Sequence, residues 1–68
     1  MVSIYKQEKS RESNSKIYVL VELRGLSTDD KPTQLNEEEY VDNGSMFVEI
    51  NTGDIYIYDL DSETWNKI

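Results

Sequence analysis

Apolar side chains recur at every second residue between Lys16 and Arg24, and this alternation is the strongest constraint on the fold. A period of two is typical of a β-strand. One face of the predicted strand is wholly apolar: Ile17, Val19, Val21 and Leu23. The opposite face begins with Tyr18 and Leu20, which are also apolar. The pattern therefore predicts a central strand that is covered on both sides at one end.

Three further segments have the length and composition of strands, and turn signals separate them. They are residues 45–50, 54–60 and 64–68. Asp42-Asn43-Gly44 precedes the first segment, and Asn51-Thr52-Gly53 joins the first to the second as a three-residue loop closed by a bulge at glycine. In that register Phe47 lies opposite Ile57. The spacing is that of an antiparallel meander.

The remaining segments lack this alternation. Residues 6–15 contain no large apolar side chain, so residues 1–15 are expected to form a mobile or edge N-terminal arm. Asn36 followed by three glutamates favours one helical turn near residues 36–40, because Asn is a good N-cap and acids suit the positive end of the helix dipole. We expect a mostly β fold: a small antiparallel sheet of about four to five strands in one domain over residues 16–68.

The composition supports strands and argues against an enzyme. Valine and isoleucine supply 11 of the 25 apolar residues, and alanine, the best helix former, is absent. The chain has neither cysteine nor histidine, which excludes disulfides and thiolate zinc sites and removes the commonest general base. No apolar run is long enough to span a membrane. We expect no catalytic residues, no cofactor and no membrane partner.

Charge is distributed unevenly along the chain. The net charge is −7, with +1 on residues 1–34 and −8 on residues 35–68. A protein that binds duplex DNA normally carries a basic stripe, so no direct nucleic-acid partner is expected. The acidic half is most simply a solvated surface. Two alternatives are a face that meets a basic partner or imitates DNA phosphates, and a salt-sensitive association of the basic end of one copy with the acidic end of another.

Two groups of side chains are candidates for a site. Asp59, Asp61 and Glu63 alternate across a turn, but the glycine and the full ligand set of an EF-hand loop are missing, so no metal site is predicted. The second group is aromatic and comprises Phe47, Tyr56, Tyr58 and Trp65. Tyr56 and Tyr58 must share one face of their strand. This group is expected to form either the core or an interface with another protein, and the alternative is a platform for a small ligand.

Residues 25–33, residues 42–59 and the Thr64-Trp65 pair resemble small proteins encoded in the virion-structure gene clusters of tailed phages and prophages. The resemblance covers residues 16–68. Asn51 stands where this pattern has Asp before Thr-Gly, a departure that affects only the turn. The resemblance implies a component or accessory of a phage particle, located in the virion or the host cytoplasm.

These observations predict a non-enzymatic phage structural or accessory interaction protein. It is expected to dock on a virion protein or to self-associate. One alternative is an acidic inhibitor of the DNA-mimic type, acting on a host nucleic-acid enzyme. A further alternative is a small carbohydrate-binding module built on Tyr56, Tyr58 and Trp65.

Overall fold

The structure, a computed structural model, describes residues 1–68 and consists of one mixed six-stranded sheet. The strands are β1 (Ser3–Ser13), β2 (Lys16–Gly25), β3 (Glu39–Val41), β4 (Met46–Glu49), β5 (Ile55–Asp59) and β6 (Thr64–Lys67). Their spatial order is β1-β2-β4-β5-β6, and β3 pairs with β2. The predicted mostly β fold is confirmed. No helix of the structure is long and apolar enough to cross a membrane.

The central strand β2 combines antiparallel and parallel pairing. It is antiparallel to β1 on one edge and parallel to both β3 and β4 on the other. The meander expected for the last three strands is present, because β4, β5 and β6 pair antiparallel in sequence order. A purely antiparallel sheet was expected, but residues 26–45 form a crossover, and a connection of this length allows parallel neighbours.

The polar N-terminal segment forms the longest strand. Residues 6–13, expected as a mobile arm or an exposed loop, belong to β1. This strand pairs with β2 from Ser3, opposite Arg24, to Ser13, opposite Lys16. Every side chain of β1 is exposed, so backbone hydrogen bonds rather than burial hold this edge strand. Asn14 and Ser15 close the hairpin with φ of 51° and 66°, as a two-residue type I′ turn requires.

The helical turn expected near residues 36–40 does not form. Asn36 Oδ1 accepts hydrogen bonds of 2.9 Å from the backbone N–H groups of both Glu38 and Glu39, as an N-cap would. The chain then enters β3 at Glu39 instead of completing a turn of helix. The capping chemistry of Asn36 therefore stabilises a bend that leads into a strand.

The hairpin between β4 and β5 differs from the predicted register by one residue. Phe47 lies opposite Tyr56, not Ile57. The loop has four residues, 50–53, because the Gly53 N–H donates to the Glu49 carbonyl and the Glu49 N–H donates to the Asp54 carbonyl. Gly53 has a φ of 78°, which favours glycine at this position.

The crossover covers one face of the sheet and leaves the other uncovered. The core lies between the sheet and the crossover and contains Val19, Val21, Leu23, Val41, Phe47 and Tyr58. Leu35 from the crossover packs against it. We call this side the covered face. The opposite side, toward which Tyr18 and Leu20 point, has no second layer. The prediction that β2 is covered on both sides at one end is therefore wrong.

Candidate interaction site

The four predicted aromatic residues form one cluster on the covered face. Phe47 and Tyr58 are fully buried, whereas Tyr56 and Trp65 are half-buried. The ring centroid of Trp65 lies 6.0 Å from that of Phe47 and 5.0 Å from that of Tyr58. Burial, followed by the nearby charges of Glu63 and Asp59, raises the pKa of Tyr58 above its ordinary 10.0. The cluster forms core in the isolated chain, and an interface role for it stays a prediction.

The crossover is fastened over these rings by two polar contacts. Trp65 Nε1 donates a hydrogen bond of 2.9 Å to the Pro32 carbonyl oxygen. Lys31 Nζ lies 4.3 Å from the ring centroid of Tyr56 and 4.9 Å from that of Phe47, and it forms a 2.8 Å ion pair with Glu49. Because Lys31 and Pro32 lie over the rings, the rings do not present the open platform that stacking of a sugar would need.

The Glu49 carboxylate helps to hold the crossover in place. Its Oε2 accepts from Lys31 and its Oε1 accepts a 2.8 Å hydrogen bond from the Thr52 hydroxyl. The hydrogen bonds from Lys31 and then Thr52 lower the pKa of Glu49 below its ordinary 4.5, although its burial acts the other way. Both carboxylate oxygens are occupied, so the group holds the crossover and the hairpin loop together.

A second ion pair links β1 to the residue that follows β3. The Arg11 guanidinium lies 3.3 Å from Asp42 Oδ1. Burial alone would raise the pKa of Asp42, but hydrogen bonds from Ser10, the Asn43 N–H and Arg11 outweigh it, so the pKa is lowered. Arg11 also lies 4.4 Å from the ring centroid of Tyr18. The polar edge strand is thus tied to the sheet by side chains as well as by its backbone.

Folding stability is expected to fall in acid. The pKa values of Glu49, Asp42 and Asp29 are all lowered, the last by hydrogen bonds from the N-terminal ammonium and the Leu26 N–H. The folded state therefore binds fewer protons than the unfolded chain in mild acid. This stabilisation is complete above about pH 4.5 and is lost as the pH falls through the folded-state pKa values.

Urea unfolding between about pH 7 and about pH 3 measures this loss. Glu49→Gln should lower the stability near neutral pH and reduce the acid dependence, because one of the three groups no longer titrates. Glu37→Gln is the matched control, since the exposed Glu37 side chain makes no ion pair. An acid dependence of Glu49→Gln equal to that of the wild type would contradict the role given to this carboxylate.

The three turn acids do not converge, and only Asp59 uses its carboxylate within the turn. Asp59 Oδ1 accepts from the Asp61 N–H at 3.1 Å, and Asp59 Oδ2 accepts from the Ser62 hydroxyl at 3.0 Å. Glu63 closes the turn with a φ of 54°. No group of three or more acidic side chains is placed to hold a metal ion.

Aliphatic side chains from three adjacent strands meet on the uncovered side of the sheet. They are Leu20 of β2, Met46 and Val48 of β4, and Ile55 and Ile57 of β5, and we call their surface the open face. Met46 lies opposite Ile57 and Val48 opposite Ile55, so these four form a block. Leu20 is 41% exposed and Ile55 36% exposed. The site is thus an apolar surface on the central strands, with a partly open cavity at its Leu20–Met46 end.

Charged groups of both signs border the open face on the β1 side. Arg24 lies 3.5 Å from Glu22 and stacks 3.7 Å from the ring centroid of Tyr5. Lys6 lies opposite Glu22, and Glu8 opposite Leu20. The hairpin over residues 3–25 carries five basic and three acidic groups, a net +2, whereas residues 26–68 carry two and eleven, a net −9. The acidic excess therefore lies outside the hairpin that borders the open face.

Sequence reasoning identified the strands that build the open face but not the face itself. Alternation places Leu20, Met46 and Ile57 on the side of the sheet opposite Phe47, and that signal was available. Which side the crossover covers cannot be read from alternation, because both sides are apolar here.

No protein-family model matches the chain, and the searches of curated proteins and of solved structures found no significant relative.

Proposed function

We propose that this protein is a non-enzymatic interaction protein that docks through its open face as a component or accessory of a tailed-phage particle. The observation that carries the proposal is the aliphatic block of Met46, Val48, Ile55 and Ile57 on the side that the crossover does not cover, where Ile55 is 36% exposed and the other three are half-buried. Contiguous apolar surface on a small protein is typical of sites where another protein binds. The particle context is supported by the sequence resemblance of residues 25–33 and 42–59.

The geometry of the sheet favours a protein partner over a small ligand. A cavity of about 550 Å³ lies at the end of the open face where Leu20 and Met46 meet, but it is partly open to solvent and is lined by the charged side chains of Lys6, Glu8 and Glu22. Small-molecule sites are usually enclosed and bury most of their ligand. The acidic groups of residues 35–68 are weak evidence for a DNA mimic. Three of them, Asp42, Glu49 and Asp54, are paired with cationic side chains of the same chain.

The proposal is tested by incorporation into particles. Wild-type chain, Val48→Lys and Thr28→Lys are produced during particle assembly, and the purified particles are probed for each by immunodetection. Val48→Lys adds a charge to the open face between Arg24 and Ile55, and burying that charge against a partner is unfavourable. Thr28→Lys adds the same charge to an exposed position of the crossover.

We expect the wild type and Thr28→Lys in the particles, and a loss of about tenfold or more for Val48→Lys. Urea unfolding of each variant checks that the lysine has not unfolded the chain. Absence of the wild type from the particles, or equal incorporation of Val48→Lys, would overturn the proposal. Recovery of the chain bound to a basic nucleic-acid enzyme instead, with binding weakened by salt, would favour the acidic inhibitor.

A further inference from the structure

We infer that the occupant of the open face is a second copy of this chain, packed face to face about a two-fold axis. This inference rests on the proposed function, because it takes the open face to be the docking surface. Two sheets packed in this way form a sandwich about 10 Å thick in which each sheet covers the apolar side of the other. The second copy would supply the layer that the crossover supplies on the covered face.

The size of the sheet fits such a pair. The molecule measures 37 × 21 × 16 Å, so its whole broad side, including the charged border of the open face, covers at most about 780 Å² in projection. Each partner of a stable interface contributes roughly 800 Å². The isolated chain buries only 10 of its 68 residues, and Val19, Val21 and Leu23 are the only fully buried aliphatics of β2. A single-layer sheet of this size gains a second core by pairing.

The distribution of charge selects the open face for contact between copies. Residues 26–68 carry a net charge of −9 and also supply Met46, Val48, Ile55 and Ile57 to the open face, but none of their eleven acidic groups is among those four residues. Two copies that approach through the acidic crossover and turns repel each other. The β1 side of the open face carries Lys6 and Arg24 together with Glu8 and Glu22. A surface with both signs can lie against its own copy without net repulsion, whereas a uniformly acidic surface cannot.

A two-fold pair and a head-to-tail chain of copies respond oppositely to salt. In the two-fold pair the contact is apolar and the remaining acidic surfaces repel, so salt should strengthen association by screening. In head-to-tail association the basic end of one copy attracts the acidic end of the next, so salt should weaken it. A two-fold contact also closes at two copies, whereas a head-to-tail contact continues to add copies.

Sedimentation of the full chain tests the inference. With rising concentration, the mass should level off at twice the 8.0 kDa of one chain, and the dimer should tighten when salt is added. Val48→Lys should weaken the dimer by about 100-fold or more, because each dimer carries the change twice. Thr28→Lys, which adds the same charge outside the open face, should leave a dimer at least as strong as that of the wild type.

Cross-linking tests the geometry independently. The chain has no cysteine, so Met46→Cys on the middle strand β4 introduces a single thiol within the open face. A short bis-maleimide should join two copies of Met46→Cys in high yield and should not join Thr28→Cys. Efficient cross-linking of Thr28→Cys alone would show that copies meet elsewhere and would overturn the inference.

Failure of this inference can be told apart from failure of the proposed function. A wild-type chain that stays monomeric at submillimolar concentration, while Val48→Lys is still lost from particles, would overturn the second copy as occupant and leave a different virion protein on the open face. A mass that keeps rising with concentration, or an association that weakens with salt, would overturn the two-fold pair. Equal particle incorporation of Val48→Lys would overturn the docking face itself.

Discussion

Phe47→Ala is expected to remove a large part of the folding stability of the chain. Phe47 has no exposed surface, and its ring contacts Trp65 and the ammonium of Lys31. Replacement of a buried Phe by Ala costs about 3–5 kcal/mol. A domain of 68 residues has a total stability of about 3–10 kcal/mol, at about 0.05–0.15 kcal/mol per residue. The loss should fall at the high end, because Gly25 beside the ring has no side chain that could fill the space.

Urea unfolding measured by the fluorescence of Trp65, the only tryptophan, gives this loss directly. Leu26→Ala is the control, because it also removes a large apolar side chain but from a position that is 42% exposed. We expect Leu26→Ala to cost less than about 1 kcal/mol. A loss for Phe47→Ala no greater than that for Leu26→Ala would mean that Phe47 is not part of the core.

The strands were predictable because each depends on neighbours in sequence. Alternation in Lys16–Arg24, and the glycines that end the loops before and after β4, identified β2, β4 and β5. Gly44 and Gly53 have φ of 88° and 78°, so both turns need a residue that tolerates positive φ, as the glycines in the sequence indicated. The predicted register of the β4–β5 hairpin was wrong by one residue, because four-residue and three-residue loops that end in the same glycine cannot be told apart by the glycine alone.

Strand β1 was anticipated only as a mobile or edge arm, because its exposed side chains show no apolar alternation that would predict a strand. The free edge of β2 offers a row of backbone donors and acceptors, and a polar segment can pair with it as well as an apolar one. The Asn14-Ser15 turn was the available signal, but it lacks the glycine that makes a type I′ turn easy to recognise. Lysines along β1 and its two irregularities also limit further pairing at this edge.

Asn51 shows how a small departure from the expected turn sequence is used. Its Oδ1 accepts from the Ser27 N–H at 2.9 Å, and its Nδ2 donates to the Ser27 hydroxyl at 2.8 Å. An aspartate could also accept from the N–H, but the Ser27 hydroxyl would then have to act as donor to the second carboxylate oxygen and not as acceptor. Asn51 thus links the hairpin loop to the crossover, a contact between distant segments that the turn pattern alone does not indicate.

The parallel arrangement around β2 was the hardest feature to predict, and it depends on Ser45. Strands β3 and β4 lie end to end along one edge of β2, and residues 42–45 leave the ladder between them. Asp42 still donates its N–H to the Val19 carbonyl, so the gap proper is residues 43–45, and the Val21 N–H faces it and bonds to a side chain there instead of a backbone carbonyl. Ser45 Oγ accepts its hydrogen bond at 3.1 Å, and Ser45 is fully buried. One hydroxyl therefore allows two short strands to share one edge.

Ser45→Ala is accordingly expected to destabilise the fold by about 1–3 kcal/mol, because it leaves the Val21 N–H buried without an acceptor. Ser3→Ala is the control: it also removes a serine hydroxyl from a strand, but Ser3 is exposed and its side chain makes no hydrogen bond, so the change should stay within about 0.5 kcal/mol. Urea unfolding measures both, and amide exchange at Val21 should accelerate in Ser45→Ala. Equal stability of the two variants would mean that another group satisfies Val21, and the continuity of β3 and β4 along β2 would then need a different explanation.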